Sequence, residues 1–251
     1  MKTKFAILIF FAAVTLALAQ SPGRLGPEIV VDDASSAIFP ADWLNPKTNP
    51  KAELVDEKEK QACKEILDKA LAKYPAAVLS ANLKKVHVLG RLEYSGVTTG
   101  GTNSRNAVYV VKNDKYSWAR FEGNFHAEFS SILFRNFPQH LDQAGWQKIN
   151  PPDFSYRGTG VQAIKDQQAS LHLKDSLHEE GFLHEYGKAS IEEDFNSYAG
   201  RLFHGDAGLW RAIEQFPKVK AKADLAMAFY AKLDASFTRE LFLSFRQPEK
   251  N

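Results

Sequence analysis

The apolar positions of this chain follow two periods, one typical of helices and one typical of strands. From residue 52 to residue 73 they recur three and four residues apart, which predicts a first helix. Residues 86–94 and Ala107–Val111 are instead rich in β-branched and aromatic residues, which predicts two strands. A stretch rich in glycine and threonine, residues 96–102, lies between them, so a β-hairpin is the expected connection.

The second half of the chain is mainly helical by the same criterion. Residues 116–136 form a long amphipathic pattern that Pro138 ends. After a turn-rich stretch, a further helix is predicted to start near Ser190, and two more follow it, separated near Pro217. The last of these is expected to run over residues 219–245. Together these elements predict one α+β domain over residues 52–247.

The N-terminal part of the chain has two features of its own. Lys2 and Lys4 precede an apolar run, and residues 17–19 have the small-x-small pattern of a signal peptidase site. Residues 1–19 are therefore predicted to be a cleaved signal peptide, which makes the protein secreted or periplasmic, with no membrane span after cleavage. Five prolines favour an extended N-terminal arm over residues 20–51 rather than a packed element.

Length, charge and cysteine content narrow the range of partners. Without its signal peptide the chain has 251 − 19 = 232 residues, enough for one sizeable core. Its formal charge falls from +2 to 0, because the signal carries two lysines and no acidic residue. This balance does not suggest a nucleic acid or an acidic membrane as partner. Cys63 is the single cysteine and lies in the first predicted helix, so we expect it to pack in the core.

The helix predicted for residues 116–136 has two distinct faces. At about 100° per residue, an apolar stripe is formed by Phe121, Phe125, Phe129 and Ile132. Glu128 lies on an adjoining face with Asn124, Ala127 and Ser131. His126 is about 160° away from Glu128 around the helix by the same step, so it is expected to be partly buried and bonded to another element.

The helix near Ser190 begins with a capping box, in which Ser190 caps the first turn and Glu193 reaches back to it. Glu193 shares its face with Ser197 and Gly200, and such small residues let another helix approach closely. The small-residue face beside Glu128 is the obvious candidate. The two carboxylates would then lie near each other, and such a pair needs a cation, a proton or added distance.

Two segments together resemble the halves of a zinc peptidase site. Residues 124–131, NFHAEFSS, stand where a zincin helix reads His-Glu-x-x-His, and residues 181–193 contain a Tyr-Gly pair followed by Glu193. On these residues the chain resembles the secreted zinc metallopeptidases that share the gluzincin-like catalytic domain of anthrax lethal factor. The resemblance extends from about residue 53 to residue 245.

Membership of that family would imply a fold and a set of roles. The fold would be a zincin-like domain with a small mixed sheet, an active-site-type helix and a helical C-terminal part. Glu128 would be the general base, Tyr186 would stabilise the oxyanion and Glu193 would be the third zinc ligand. The strand region 88–111 would supply the sheet edge beside the substrate.

The zinc motif is nevertheless degenerate, because Ala127 and Ser131 occupy both histidine positions. A catalytic zinc takes three protein ligands and leaves one position for water. A zinc site here would need a replacement histidine beside Glu193, with His126 as the first candidate and His184 as another.

Two functions of different classes therefore remain. The first is a secreted zincin-like metallopeptidase with reduced or absent peptide hydrolysis and zinc as a doubtful cofactor. The second is a non-catalytic pseudo-peptidase that captures an extended peptide or a protein partner by strand addition beside Ala107–Val111.

Overall fold

The computed structural model describes residues 26–248, in which one mixed β-sheet packs against helices. The strands are β1 (Glu28–Val30), β2 (Lys51–Leu54), β3 (Lys85–Tyr94), β4 (Val97–Thr98), β5 (Gly101–Asn103) and β6 (Ala107–Val111). The helices are α1 (Lys60–Leu71), α2 (Ala76–Asn82), α3 (Trp118–Asn136), α4 (Gln143–Ile149), α5 (Gly160–Lys165), α6 (Asp175–His178), α7 (Ile191–His204), α8 (Ala207–Gln215), α9 (Pro217–Leu233) and α10 (Arg239–Ser244). The predicted signal peptide lies outside the described residues.

The centre of the sheet is parallel and one of its ends is antiparallel. The strand order is β1-β3-β6-β5, where β1, β3 and β6 run parallel and β5 runs antiparallel to β6. The long strand β3 also pairs with β2 and β4, both antiparallel to it. The strand β5 is therefore an edge of the sheet.

The two faces of the sheet are covered by different parts of the chain. Val86, Val88, Val108 and Val110 face the main core, which they share with α3, α7 and α9. Alternate residues, such as Leu89 and Tyr109, point to the opposite face and pack against Phe39. The N-terminal segment thus closes one face of the sheet and the helices close the other.

The α+β fold class with a small mixed sheet and a helical C-terminal part is confirmed. The strands β3 and β6 and the helix α3 occupy their predicted positions within two residues. Helix α7 begins directly after Ser190, whose hydroxyl accepts the Glu193 backbone N–H at 3.1 Å, which is one of the two bonds of the predicted capping box. The other bond, from the Ser190 backbone N–H to the Glu193 side chain, is not formed among the described residues.

The predicted hairpin between β3 and β6 is wrong. The two strands are parallel neighbours, and the residues between them form β4 and β5 instead of one turn. A tight turn with positive φ at Ser95 and Gly96 reverses the chain after β3. Consequently β6, all of whose residues are buried, is paired on both sides. The sheet edge expected at Ala107–Val111 is therefore formed by β5 instead.

Two predicted helices have different limits. The first starts at Lys60 rather than near residue 52, because residues 51–54 pair with β3 as β2. The last is divided into α9 and α10 by residues 234–238, where the Asp234 side chain accepts the Ser236 N–H at 2.9 Å. The break places Phe237, which is 1% exposed, in the core.

The described part of the segment predicted as an extended arm, residues 26–51, packs against the sheet and includes two short 3₁₀ helices, Ser36–Ile38 and Ala41–Trp43. Residues 28–30 pair with β3, and the side chains of Ile29, Val31 and Phe39 are buried. Proline spacing did not reveal this strand because it is three residues long. None of the described helices is long and apolar enough to cross a membrane.

Candidate functional site

The candidate site is built on the crossing of α3 and α7. A Cβ added to Gly200 of α7 would lie 2.9 Å from the Gly123 carbonyl oxygen and 3.3 Å from the Ala127 Cβ, both on α3. Only a glycine permits this separation of the two helices. The contact between the two small-residue faces, predicted from the sequence, is therefore present, and it brings Glu128 and Glu193 to the same region.

Glu128 lies between α3 and the sheet edge. Its Oε2 accepts a hydrogen bond of 2.5 Å from the Asn103 side chain, and a Cβ on Gly101 would lie 2.8 Å from its Oε1. Burial raises the pKa of Glu128 to about 8, and the nearby charge of Glu193 adds to this increase despite the hydrogen bond from Asn103. Glu128 is therefore a carboxyl group that is protonated near neutral pH.

Glu193 has its own set of partners at the start of α7. Its carboxyl group lies beside the Tyr186 hydroxyl, and Tyr186 and Asn196 both favour its charged form. Burial outweighs their effect and raises the pKa of Glu193 to about 7. Burial also raises the pKa of Tyr186, with further contributions from the charges of Glu193 and Glu128, so its hydroxyl remains a donor.

The structure therefore brings Glu128, Tyr186 and Glu193 together. Two neighbouring carboxylates need a cation, a proton or added distance. A retained proton fits this pair, since the pKa values of both carboxyl groups are raised. A pair of this kind takes up and releases its protons as one unit. The site has the groups for hydrogen bonding and proton transfer near neutral pH.

His126 is placed in a different cluster. Its Nδ1 lies 2.8 Å from the Tyr74 hydroxyl and its Nε2 lies 3.5 Å from a Glu122 oxygen, while its ring stacks on Phe203. The imidazole is fully buried, which lowers its pKa to about 4. The structure does not bring His126 to Glu193.

The two positions where the zinc histidines would stand are used for helix packing. Ala127 contacts the crossing at Gly200, and the Ser131 hydroxyl accepts a hydrogen bond of 2.6 Å from the Asn196 side chain. The Asn196 oxygen in turn accepts a bond of 2.5 Å from Ser130. Asn196 thus joins the two helices at these positions.

The residues of this site do not fit a catalytic zinc. The donors that converge are two carboxyls and a tyrosine hydroxyl, with no imidazole, whereas zinc sites in peptidases combine histidine with carboxylate. Across residues 26–248, no group of three or more histidine, cysteine, aspartate or glutamate side chains could hold a metal ion. His184 does not change this, because it is buried beside Arg201 and His178, and burial lowers its pKa to about 3.

A loop covers the carboxyl pair. Gly160, the first residue of α5, touches Tyr186 and Glu193 so closely that a Cβ at this position would overlap both side chains. The loop is fixed by backbone bonds from Arg157 to Lys188 (3.2 Å) and from Gly158 to Ala189 (2.8 Å). Helix α5 also contacts β4, so it lies across the space between the sheet and the start of α7.

Several residues of the site were not predicted from the sequence. They contact the carboxyl pair or a residue bonded to it, and they are Asn103, Arg135, Asn196 and Gly160. Arg135 bonds to the Asn103 side chain and, at 2.6 Å, to Glu192. The sequence indicated Gly160 only as part of a turn. The position of Asn196, about one helical turn after Glu193, is a signal that could have identified it.

Comparisons with known proteins give a limited result. No family model matches the chain, and no curated protein matches its sequence. Among solved structures, it is similar to the crystal structure of a putative zinc-binding metallo-peptidase from Bacteroides caccae ATCC 43185, with a TM-score of 0.46 and 15% sequence identity. The similarity covers 72% of this chain and 73% of that chain.

Proposed function

We propose that this chain is a secreted zincin-like metallopeptidase homologue whose peptide hydrolysis is reduced or absent and which binds an extended peptide at the edge strand β5. The observation that supports it best is the composition of the site. Glu128, Tyr186 and Glu193 converge as in a peptidase, while Ala127 and Ser131 take the ligand positions and pack against α7.

The edge strand β5 is oriented to accept a peptide. Val111 donates to the Gly100 carbonyl at 2.9 Å and Ser104 donates to the Ala107 carbonyl at 2.8 Å, so these alternate residues face β6. The backbone groups of Gly101 and Asn103 must then face away from the sheet. A peptide added at this edge would lie beside Glu128, because Asn103 and Gly101 are the residues that touch it.

Part of this edge is covered in the structure. The Thr99 hydroxyl donates to the Gly101 carbonyl at 2.9 Å and lies 3.4 Å from the Gly101 nitrogen. Asn103 is therefore the residue with backbone groups available to a partner strand. This limits strand addition to a short segment of peptide unless the turn at Thr99 moves.

Peptide binding is tested with a fluorescein-labelled decapeptide of randomised sequence and fluorescence anisotropy. Asn103→Pro removes the outward backbone donor, whereas the matched variant Asn103→Ala removes only the side chain. We expect binding that Asn103→Pro weakens by at least about tenfold relative to Asn103→Ala, in EDTA as well as in zinc. Equal binding by the two variants would show that β5 is not the peptide site.

Catalysis is tested separately by metal content and cleavage. The wild type and Glu193→Ala are dialysed against zinc, and their zinc content is measured by inductively coupled plasma mass spectrometry. Peptide mixtures incubated with each protein are then searched for new termini. We expect no stoichiometric zinc and no cleavage. About one zinc per chain that is lost in Glu193→Ala, together with cleavage, would establish an active metallopeptidase with an unconventional ligand set.

A further inference from the structure

A cavity lies on the face of the sheet opposite α3. It is open to solvent, has a volume of about 610 Å³ and is bordered by the N-terminal segment, the start of β3 and the turn before β6. Three of its residues, Glu28, Lys85 and Ala107, are register partners at the beginning of the three parallel strands. This volume is in the range of small-molecule sites in proteins.

The buried polar side chain that lines this cavity is His87. Its side chain is 4% exposed, and its Nδ1 has no hydrogen-bond partner within the described part of the chain. Burial, followed by the charge of Lys85, lowers the pKa of His87, so the ring is neutral at pH 7 and offers one donor and one acceptor. The Nδ1 atom is closed to solvent, so a ligand in the cavity would contact the His87 ring through its other atoms.

The walls around His87 are aromatic and aliphatic. The His87 ring stacks on Tyr109 with centroids 5.0 Å apart and an angle of 9°. Tyr109 is held in turn, because its hydroxyl donates to the Ile38 carbonyl at 2.7 Å. Phe39 and Val30 complete this lining. A ligand must therefore present an apolar body to this part of the cavity.

The rim of the cavity carries an excess of positive charge. Lys84, Lys85 and Arg105 are opposed by Glu28 and Asp33, which leaves one net positive charge. Lys85 is paired with Glu28 at 3.2 Å, and Asp33 accepts the Ser35 backbone N–H at 2.8 Å. Lys84 and Arg105 form no ion pair with any residue in the range 26–248 and are free to meet an anion.

We propose that this cavity binds a small organic monoanion with an apolar body, whose charged group is held by Lys84 and Arg105 and whose polar atom contacts His87. The cavity is separated from the carboxyl pair by the sheet, so the proposal does not depend on peptide binding at β5. Its occupant is a small molecule rather than a peptide, because the cavity ends on the buried side chains of His87 and Tyr109.

The test uses residues 20–251, the predicted processed chain, and the fluorescent monoanion 1-anilinonaphthalene-8-sulfonate. Its uncharged analogue N-phenyl-1-naphthylamine serves as comparison. Arg105→Glu and Lys84→Glu change exposed rim residues, and Lys69→Glu on the exposed side of α1 makes the same charge change away from the cavity. Fluorescence titration gives affinity and stoichiometry, and long-range ¹H–¹⁵N spectra report the His87 ring.

We expect saturable binding of one sulfonate per chain, weakened by at least about fivefold in each rim variant and unchanged in Lys69→Glu. The ¹⁵N resonances of the His87 ring should shift on binding. The uncharged analogue should bind more weakly, and Arg105→Glu should not change its affinity. Unsaturable binding, unchanged affinity in the rim variants, or an unaffected His87 resonance would each overturn the proposal.

Discussion

At the scale of single residues, Glu128 and Glu193 contribute to the dependence of stability on pH. Their pKa values in the folded chain, about 8 and about 7, lie above the ordinary value of 4.5. A group with a raised pKa contributes stability that is fully present below its unfolded pKa and is lost as the pH rises through its folded pKa. The window for this pair therefore runs from about pH 4.5 to about pH 8.

We predict that Glu128→Gln makes the chain less sensitive to alkali. Glutamine cannot ionise, so at pH 9 the variant should be more stable than the wild type by about 1–3 kcal/mol, with little difference at pH 5. Urea unfolding at both pH values measures this change. Glu179→Gln, at an exposed position, is the control and should follow the wild type. Parallel pH profiles for wild type and Glu128→Gln would show that the carboxyl pair is not protonated in the folded chain.

At the scale of elements, the ion pair between Lys222 and Asp194 joins α9 to α7. Their side chains are fully buried and the Nζ–Oδ2 distance is 2.6 Å. The same oxygen accepts bonds of 2.8 Å from Trp146 and from Tyr156. Because Asp194 follows Glu193 directly, this pair fixes the first turn of the helix that carries the site.

We predict that Lys222→Met lowers the free energy of unfolding by about 3–5 kcal/mol, because it leaves Asp194 buried without its cation. Adding Asp194→Asn should restore part of the loss. Lys220→Met is the matched control, since Lys220 pairs with Asp224 at 2.5 Å on the exposed side of the same helix. That variant should cost less than about 1 kcal/mol in urea titrations. Equal losses from both lysines would mean that burial adds nothing to the pair.

The edge of the sheet gives a second prediction at this scale. Thr99→Val keeps the shape of the side chain but removes the hydroxyl that covers Gly101. If an extended peptide adds to β5, the freed backbone should tighten its binding by about two- to tenfold, the value of one hydrogen bond. Anisotropy with the randomised decapeptide measures the change. Weaker binding by Thr99→Val would show that peptides do not use Gly101.

At the scale of the whole molecule, long periodic elements were predictable and short pairings were not. The helix α3 and the strands β3 and β6 each bury a complete face, which produces the periodicity in their residues. The strands β1 and β5 have three residues each, too few to show a period. The parallel pairing of β3 with β6 depends on β5 forming the edge of the sheet. The residues of β3 and β6 alone do not indicate this pairing.

The candidate site was predictable where it rests on helix faces. The small residues beside Glu128 and Glu193 indicated the close crossing, and the crossing brings the two carboxyls together. Asn103 comes from a three-residue strand and Gly160 from an irregular loop, so neither carried a pattern that linked it to them. Catalytic and ligand roles for Glu128, Tyr186, Glu193 and His126 stay predictions.

Cys63 gives the molecule an internal reporter of its own opening. Its side chain is 0% exposed on α1, and burial raises the pKa of the thiol to about 12. A disulfide reagent attacks the thiolate, so the folded chain should be inert at pH 8 and react only during excursions that expose α1. With one thiol per chain, the labelling rate measures how often α1 opens. The stability of every variant discussed above can be ranked by this rate without denaturant.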